Sequence, residues 1–427
     1  MNQVSRGMSK YKRFPAHKDS GVEWIGEVPE HWEVKRLRHV AQFTNSNVDK
    51  KSYQGQQNIR LCNYTDVYYN EFIISSLPFM DATASETEIE RFALKRGDVL
   101  ITKDSEDPSD IGIPSLVRDE MLGVICGYHL TVIRAADMGT ARFVHRSVQS
   151  HPTKAHFYVE SPGVTRYGLS QDAIGDIPIC LPPLKERAGL ADKIDRETTR
   201  IDALITKKTR FIELITEKIL AMVDHSFEHQ DTRWIRLQHV CEIISRPVSQ
   251  QDGEGYTRLG LYNRGRGAFK KEEADNEDMG DSDFFWIDEG DLILSGQFAW
   301  EGAVALATTE HSSCVVSHRF PVIQGRNGES LTEYLFALFM THYGDFILND
   351  CSRGSAGRNR PLNINALLKW KIPIPPIDYQ KQIALLVSLR ERILVKTERS
   401  ITLLKERRSS LITAAVTGQI DLRGEIA

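Results

Sequence analysis

Two stretches of this chain place apolar residues at alternating steps of four and three, and each follows a pair of prolines. In the first, Ile194, Ile201, Ile205, Ile212, Ile215, Ile219 and Met222 keep the spacing, with Thr198 and Lys208 filling the remaining positions. In the second, Ile383, Val387, Leu394, Ile401, Leu404, Leu411 and Ala415 keep it, with Arg390, Thr397 and Arg408 between them. Such a stripe is a coiled-coil seam. At 1.5 Å per residue, helices of about 40 residues are ~60 Å long, far above the usual length. Neither helix can leave its stripe wet, and the simplest partner for each is the other. The alternative is two independent helices, each packed on its own domain. Pro182-Pro183 and Pro375-Pro376 mark the starts, because proline fixes φ, lacks a donor and suits a first helical turn. Thr417-Gly418-Gln419 stops the second helix. The first runs into the polar linker Val223-Asp224-His225-Ser226-Phe227.

The segments before the two helices share a framework. Arg36-Leu37-Arg38-His39-Val40 recurs 200 residues later as Arg236-Leu237-Gln238-His239-Val240, with Trp32 and Trp234 leading each copy. Gly97-Asp98-Val99-Leu100-Ile101 recurs after 193 residues as Gly290-Asp291-Leu292-Ile293-Leu294. Asp176-Ile177-Pro178-Ile179 matches Lys371-Ile372-Pro373-Ile374 at 195, and Pro182-Pro183-Leu184 matches Pro375-Pro376-Ile377 at 193. Four matches in one order at nearly one offset indicate duplication, with small loop insertions as the drift. Each copy reads as a Trp-led opening strand, a polar stretch, a Gly-Asp turn into a buried strand, a second apolar strand (Gly127–Arg134 and Cys314–Ile323), an Ile-Pro-Ile strand and a Pro-Pro stop. The predicted fold is α+β: two globular domains with mainly β cores, joined and spaced by two long antiparallel coiled-coil helices in a pseudo-two-fold duplication. The expected boundaries are 1–181, 182–225, 226–374 and 375–427.

Composition changes this picture little. Of the 427 residues, 41% are hydrophobic and 26% charged, ordinary values for a globular chain. The longest apolar run, Tyr334 to Met340, is far short of the roughly 20 residues that span a bilayer. The N-terminal MNQVSRGMSKYKRF is basic without an apolar core behind it, unlike a secretory signal. Cys62, Cys126, Cys180, Cys241, Cys314 and Cys351 form no CxxC pair and read as reduced, buried thiols of a cytoplasmic protein. A net charge of −4 excludes a uniformly basic nucleic-acid binder and leaves room for a local basic face.

Several chemistries are missing. The chain has no P-loop, no HExxH, no Gly-x-Gly-x-x-Gly and no Asn/Asp-Pro-Pro-Tyr/Phe tetrapeptide for methyl transfer to a flipped base. Asp288-Glu289-Gly290-Asp291 is acidic, but its counterpart Lys95-Arg96-Gly97-Asp98 is not, so a turn before a strand is the reading. His129 and His318 fall at similar places in the two copies, and a lone strand histidine is more often structural than catalytic.

Three segments resemble a known family. Pro182–Arg187 followed by Ile194–Ile205, Leu403–Asp421, and Lys18–Trp32 are similar to framework regions of the specificity (S) subunits of type I restriction–modification systems. The first helix departs from the pattern, ending in Ile215–Val223 where the family usually carries Leu-Lys-Glu-Arg-Arg. The resemblance implies a non-catalytic DNA sequence-specificity subunit. Each globular domain would be a target recognition domain reading one half of a bipartite double-stranded DNA site, and the helices would act as a ruler between them. Two methyltransferase subunits would dock on the helices, and restriction/translocase subunits would bind through them. S-adenosylmethionine, ATP and Mg would belong to those partners, leaving this chain without cofactor, metal or catalytic residue. A scaffold spacing two protein-interaction domains without touching DNA is the competing reading.

The candidate DNA-binding residues come from basic, glycine-containing loops. Ser352–Arg360 supplies Arg353, Arg358, Asn359 and Arg360, and its counterpart Ser161–Gly168 supplies Arg166 and Tyr167. Asn263-Arg264-Gly265-Arg266 is a second basic loop, contributing Arg264 and Arg266. Lys103 and Gln297 follow the two Gly-Asp strands at matching positions. Arginine can pair bidentately with guanine and asparagine with adenine, whereas many such residues touch only phosphate.

Overall fold

The computed structural model describes residues 11–249, 255–274, 282–354 and 360–423. It divides into two compact units: residues 1–205 with 400–427, and residues 206–399. Each contains part of both long helices, Leu184–Ser226 (43 residues) and Ile377–Val416 (40 residues).

In the first unit a five-stranded sheet runs in the order Ala41–Asn45, Leu130–Ala135, Val99–Thr102, Pro114–Val117, Phe72–Ile73. Strand alternation gives this sheet two apolar faces. Val99, Ile101, Leu116 and Ile133 face one core with helix Met138–Val148 and the long helices. Leu100, Val117 and Val132 face a second core, shared with the sheet Val124–Cys126, Gln57–Cys62, Met80–Ala84. The second unit repeats the plan. Its sheet Cys241–Ile243, Val322–Gly325, Leu292–Leu294, Val304–Leu306 sends Leu292, Leu294 and Ile323 toward helices Thr332–Phe339 and His342–Asp350. Ile293 and Val322 point the other way, onto the sheet containing Tyr256–Leu261, Cys314–Ser317 and Phe284–Ile287.

The duplication is visible bond by bond. Leu37 N–H donates to Ile177 O (2.8 Å) and Leu237 N–H to Trp370 O (2.9 Å). Gly97 N–H donates to Val117 O and Gly290 N–H to Ala307 O, both at 2.9 Å. Gly97 and Gly290 hold φ of +94° and +87°, a region open to glycine and costly for other residues. The aspartates that follow are buried. Asp98 accepts from Lys95 N–H (2.9 Å) and Arg134 Nε (3.0 Å). Asp291 accepts from Asp288 N–H (2.9 Å), Arg246 Nη1 and Gln324 Nε2 (both 2.7 Å). Gly-Asp is thus a turn clamp in both copies.

Three expectations are corrected. The opening and closing strands pair Arg36 with Pro178 and Glu33 with Leu181 in the first unit, and Arg236 with Lys371 and Arg233 with Ile374 in the second. The closing strands are therefore related by 193 residues, and the two Ile-Pro-Ile runs sit two positions out of phase. In the same register Trp234 matches Val34, not Trp32. Trp32 is fully buried, whereas Trp234 is 47% exposed. The "second apolar strand" is two strands with a corner between them in the second copy, Cys314–Ser317 then Val322–Gly325, and in the first copy the stretch from Gly127 begins in the matching corner, between Val124–Cys126 and Leu130–Ala135. The members of each pair lie in different sheets, because one straight strand could not serve both cores.

The seam residues face inward on both helices. Ile194 and Ile201 share a buried core with Leu411, and Ile205 and Leu404 pack against it. Ile219 shares a core with Ile383 and Val387, and Ile215 packs at its edge. Ile212, Leu394 and Ile401 are half-buried. The pairing is antiparallel within each unit. Asp202 meets Arg408 (2.9 Å) while Lys193 meets Arg423 O (2.6 Å). Thr216 meets Arg390 (2.9 Å) while the Met222 carbonyl meets Tyr379 (3.0 Å).

Candidate nucleic-acid interface

The framework delivers the candidate residues to corresponding places in the two units. The strand after each Gly-Asp turn leaves the sheet at Lys103 and Gly296. Their N–H groups donate to His129 O (3.0 Å) and Arg319 O (2.7 Å), and their carbonyls accept from Leu169 and Leu362 N–H (2.8 Å each). Gly296, not Gln297, is therefore the counterpart of Lys103, and Gln297 answers to Asp104. Just beyond, Ser170 and Asn363 cap short helices by accepting from Ala173 and Ala366 N–H, both at 3.0 Å, as N-cap side chains do. The segments that lead into these caps therefore also correspond, and Leu169 and Leu362 at their ends are fastened to the turns that carry Lys103 and Gln297.

In the first unit these bonds bring Lys103, Arg166 and Tyr167 together. Tyr167 and Gly168 pair with Ser105 and Asp104 as a short antiparallel ribbon. The Lys103 ammonium lies 4.7 Å from the Tyr128 ring centre. The Tyr128 ring is 4.5 Å from that of His129, and His129 Nδ1 is 2.8 Å from Asp104 Oδ2 and 3.1 Å from Arg166 Nη2. One ring nitrogen cannot donate to the carboxylate and accept from the guanidinium at once, so its tautomer decides which partner it holds. A cleft of about 660 Å³ adjoins this cluster, lined by Tyr64, Tyr68, Tyr69, Asp104, Asp110 and Arg166 among others. Tyr64 and Tyr68, one helical turn apart on Tyr64–Tyr69, stack at 5.5 Å and 19°. The Tyr68 hydroxyl donates to Asp110. That bond to a carboxylate favours the neutral phenol and pushes its pKa up to about 12. Tyr69 (77%) and Tyr128 (50%) are the outward aromatic surfaces.

The second unit presents a different face on the same frame. Arg264 and Arg266 are exposed on a hairpin loop. Arg264 (φ +60°) and Gly265 (φ +58°) take consecutive left-handed conformations. Their N–H groups donate to Glu301 O (3.1 Å) and Gly302 O (2.9 Å), so the loop is pinned to the segment that follows Gln297. Arg266 lies over Tyr262, its guanidinium 5.4 Å from the ring centre. Gln297 O accepts from Trp300 Nε1 (3.1 Å), and Arg360 covers Trp300 at 4.9 Å while donating through Nε to Ser352 O (3.0 Å). The Arg353 side chain is 81% exposed and paired with Asp350. Arg358 and Asn359 lie outside the described residues. The result is a guanidinium-rich surface interleaved with Tyr262, Phe298 and Trp300. The first unit's surface is tyrosine-rich with carboxylates beside Lys103 and Arg166. Sequence reading found the cations and missed these aromatics; Tyr64 and Tyr68, at i and i+4, were the one periodic hint.

Among the described residues no group of histidine, cysteine, aspartate and glutamate is arranged to hold a metal ion, and no helix is long and apolar enough to cross a membrane.

Residues 233–405 match the family described as the type I restriction modification DNA specificity domain. Over 422 residues, 93% of this chain and 96% of the relative, the sequence is 18% identical to a Methanocaldococcus jannaschii protein provisionally named the specificity subunit of the type I restriction enzyme MjaX. The fold is similar to a chain from a structural study of complex assembly and conformational transition in a type I restriction–modification system. That match has a TM-score of 0.53 and 16% identity, over 91% of this chain and 98% of the other. It is also similar to the type I S subunit of M. genitalium, with a TM-score of 0.52 and 10% identity, over 90% and 96%.

Proposed function

We propose that this chain is a member of the type I restriction–modification specificity subunits, the family that residues 233–405 match, and that it is the DNA sequence-specificity subunit of such a complex. The observation that carries the reading is one backbone frame, repeated with the same turn clamps and strand register, bearing two faces of unlike chemistry. A reader of two identical half-sites has no use for that difference; a reader of an asymmetric, bipartite site requires it. Residues 1–181 and 226–374 act as the two target recognition domains, and 182–225 and 375–427 as the spacer. Arg264, Arg266, Arg353, Arg358, Asn359 and Arg360 contact one half-site, and Lys103, Arg166 and Tyr167 the other, with Gln297 at the edge of the basic face. Arginine and asparagine offer paired donors and acceptors to base edges, and every cation can hold phosphate. In this reading the helix pair sets the gap between half-sites, as spacing does in dimeric readers.

The chain is non-catalytic in this scheme. It works in the cytoplasm with two methyltransferase subunits on its helices and restriction/translocase subunits bound through them. S-adenosylmethionine, ATP and Mg are used by those partners. The test is methylation mapping of the host genome with and without this gene. The expected result is an asymmetric bipartite motif with an unspecified gap that disappears on deletion, together with no methylation or cleavage by the isolated chain. Activity of the chain alone, or an unchanged methylation pattern on deletion, would refute the reading.

A further inference from the structure

Arg390 occupies a seam position of the second long helix, three residues after Val387 and four before Leu394. A guanidinium there would ordinarily be an interruption, because seam positions are apolar. It is only 4% exposed, and its three nitrogens go to three different places. Nε donates to Thr216 Oγ1 on the first helix (2.9 Å). Nη1 pairs with the buried Glu391 carboxylate. Nη2 donates to the carbonyl of Gly265 (3.1 Å), the central residue of the left-handed turn that displays Arg264 and Arg266.

A side chain serving only the helix pair would not reach that carbonyl. The turn has few other ties: the two N–H bonds to Glu301 and Gly302 hold one side of its backbone, Asn263 pairs with Glu301, and Met340 packs beneath Gly265. Arg390 holds the opposite side, and it is rigid because burial and three acceptors fix its rotamer. The planar fork of arginine spreads its donors over three separate nitrogens, whereas lysine carries its three on one compact ammonium.

We infer that Arg390 is a positioning residue for sequence recognition: it sets the backbone of the Asn263–Arg266 loop relative to the helix pair, so that Arg264 and Arg266 meet base edges in one register. This inference rests on the DNA-specificity reading above. Arg390 touches no DNA itself. Loss of its Gly265 bond leaves the two displayed arginines charged and exposed. Attraction to phosphate would therefore persist while base discrimination fell. Small displacements suffice, because bidentate base contacts tolerate little misalignment.

The experiment uses the full-length chain assembled with the methyltransferase subunit of its complex, and duplexes carrying the motif found by methylation mapping. Arg390→Lys keeps a cation beside Glu391, and Thr216→Val removes one acceptor while leaving Gly265 bound. Affinities are measured for the matched site and for single-base changes in each half-site. For Arg390→Lys the expected result is a loss of roughly tenfold or more in discrimination at the half-site read by the second unit. Discrimination at the other half-site and the salt dependence should stay within error, and Thr216→Val should lie near wild type in discrimination. Wild-type discrimination ratios in Arg390→Lys would overturn the inference, as would equal losses at both half-sites with a lowered midpoint, the mark of a merely structural residue. Wild-type complex that binds matched and mismatched duplexes alike would remove the DNA-specificity reading itself, a result distinguishable from a wild type that discriminates and a variant that does so equally well.

Discussion

Replacing Asp195 with alanine should destabilise the first unit more than any other single change to a charged residue on the early part of the first long helix. Asp195 Oδ1 accepts from Arg146 Nε (2.8 Å) and Nη2 (2.6 Å), and Oδ2 from Arg142 Nε (3.2 Å) and Nη2 (2.5 Å). The Arg146 side chain is 2% exposed and the Asp195 side chain 16%, so the variant strands a buried guanidinium. Breaking one partner of a buried pair costs about 3–5 kcal/mol. Glu71 and Gln149 also bind Arg146, which places the expectation near 3 kcal/mol at the low end of that range. For a unit of this size that is a fall of roughly 6–12 °C in unfolding midpoint. Asp192, 65% exposed and paired with Arg142, serves as the control, and its alanine variant should cost no more than about 0.5 kcal/mol. Burial alone would raise the pKa of Asp195, but Arg146 and Arg142 outweigh it and hold the group below its ordinary value of 3.8. A depressed carboxylate contributes its stabilisation above the unfolded pKa and loses it as pH falls through the folded one. The gap between wild type and Asp195→Asn should therefore be full at neutral pH and close below about pH 4. Denaturant unfolding followed by hydrogen exchange, which separates peptides of the two units, measures both. A cost under about 1 kcal/mol, the range of an exposed pair, or a gap that widens on acidification, would refute the assignment.

Three further outcomes follow from the same geometry. Gly290→Ala meets no atom within 4 Å, so its cost should be conformational only, about 1–2 kcal/mol by denaturant titration. Arg353→Ala with Arg360→Ala should lower the slope of log affinity against log salt for duplex DNA by about 1–2 if both hold phosphates; an unchanged slope and unchanged motif would remove both from the interface. Asp110→Asn removes the carboxylate that keeps the Tyr68 phenol neutral, so a tyrosine titrating at about 12 in wild type should move down toward 10 in an ultraviolet titration.

The helices were legible because a seam over about eight to nine turns leaves a period that chance does not imitate. The Gly-Asp turns were legible because a positive φ demands glycine and a buried turn demands a capping carboxylate. What the pattern concealed was the role of its own exceptions. Arg390 and Arg408 read as gaps in a stripe. In the structure Arg408 ties Asp202 to Glu71 and Arg390 ties a loop to both helices, contacts between residues far apart in sequence. Register was equally hidden: Ile-Pro-Ile matched by letters at a two-residue slip, and Lys103 was matched to Gln297 one position late, because only hydrogen-bond partners fix phase. Apart from Tyr64 and Tyr68, the aromatics of the candidate interface lie in segments between framework motifs, where neither period nor repeat marks them.

The first unit is discontinuous: its core includes Ile412, Ala414, Ala415, Val416, Ile420 and Leu422, packed with Val28, Trp32 and Leu37, and Asp421 N–H donates to Lys12 O (2.7 Å). The second unit, residues 206–399, is one continuous stretch. On a ribosome the later-made unit therefore has every residue it needs before the earlier-made one does. Residues 11–205 must wait for 400–423, an interval of roughly 10–40 s at ordinary elongation rates. During that wait the apolar faces of Ile194 and Ile201 and of the five-stranded sheet lack their last layer. Synthesis is then the period in which this chain is most exposed to chaperones, to proteases and to pairing with the wrong helix.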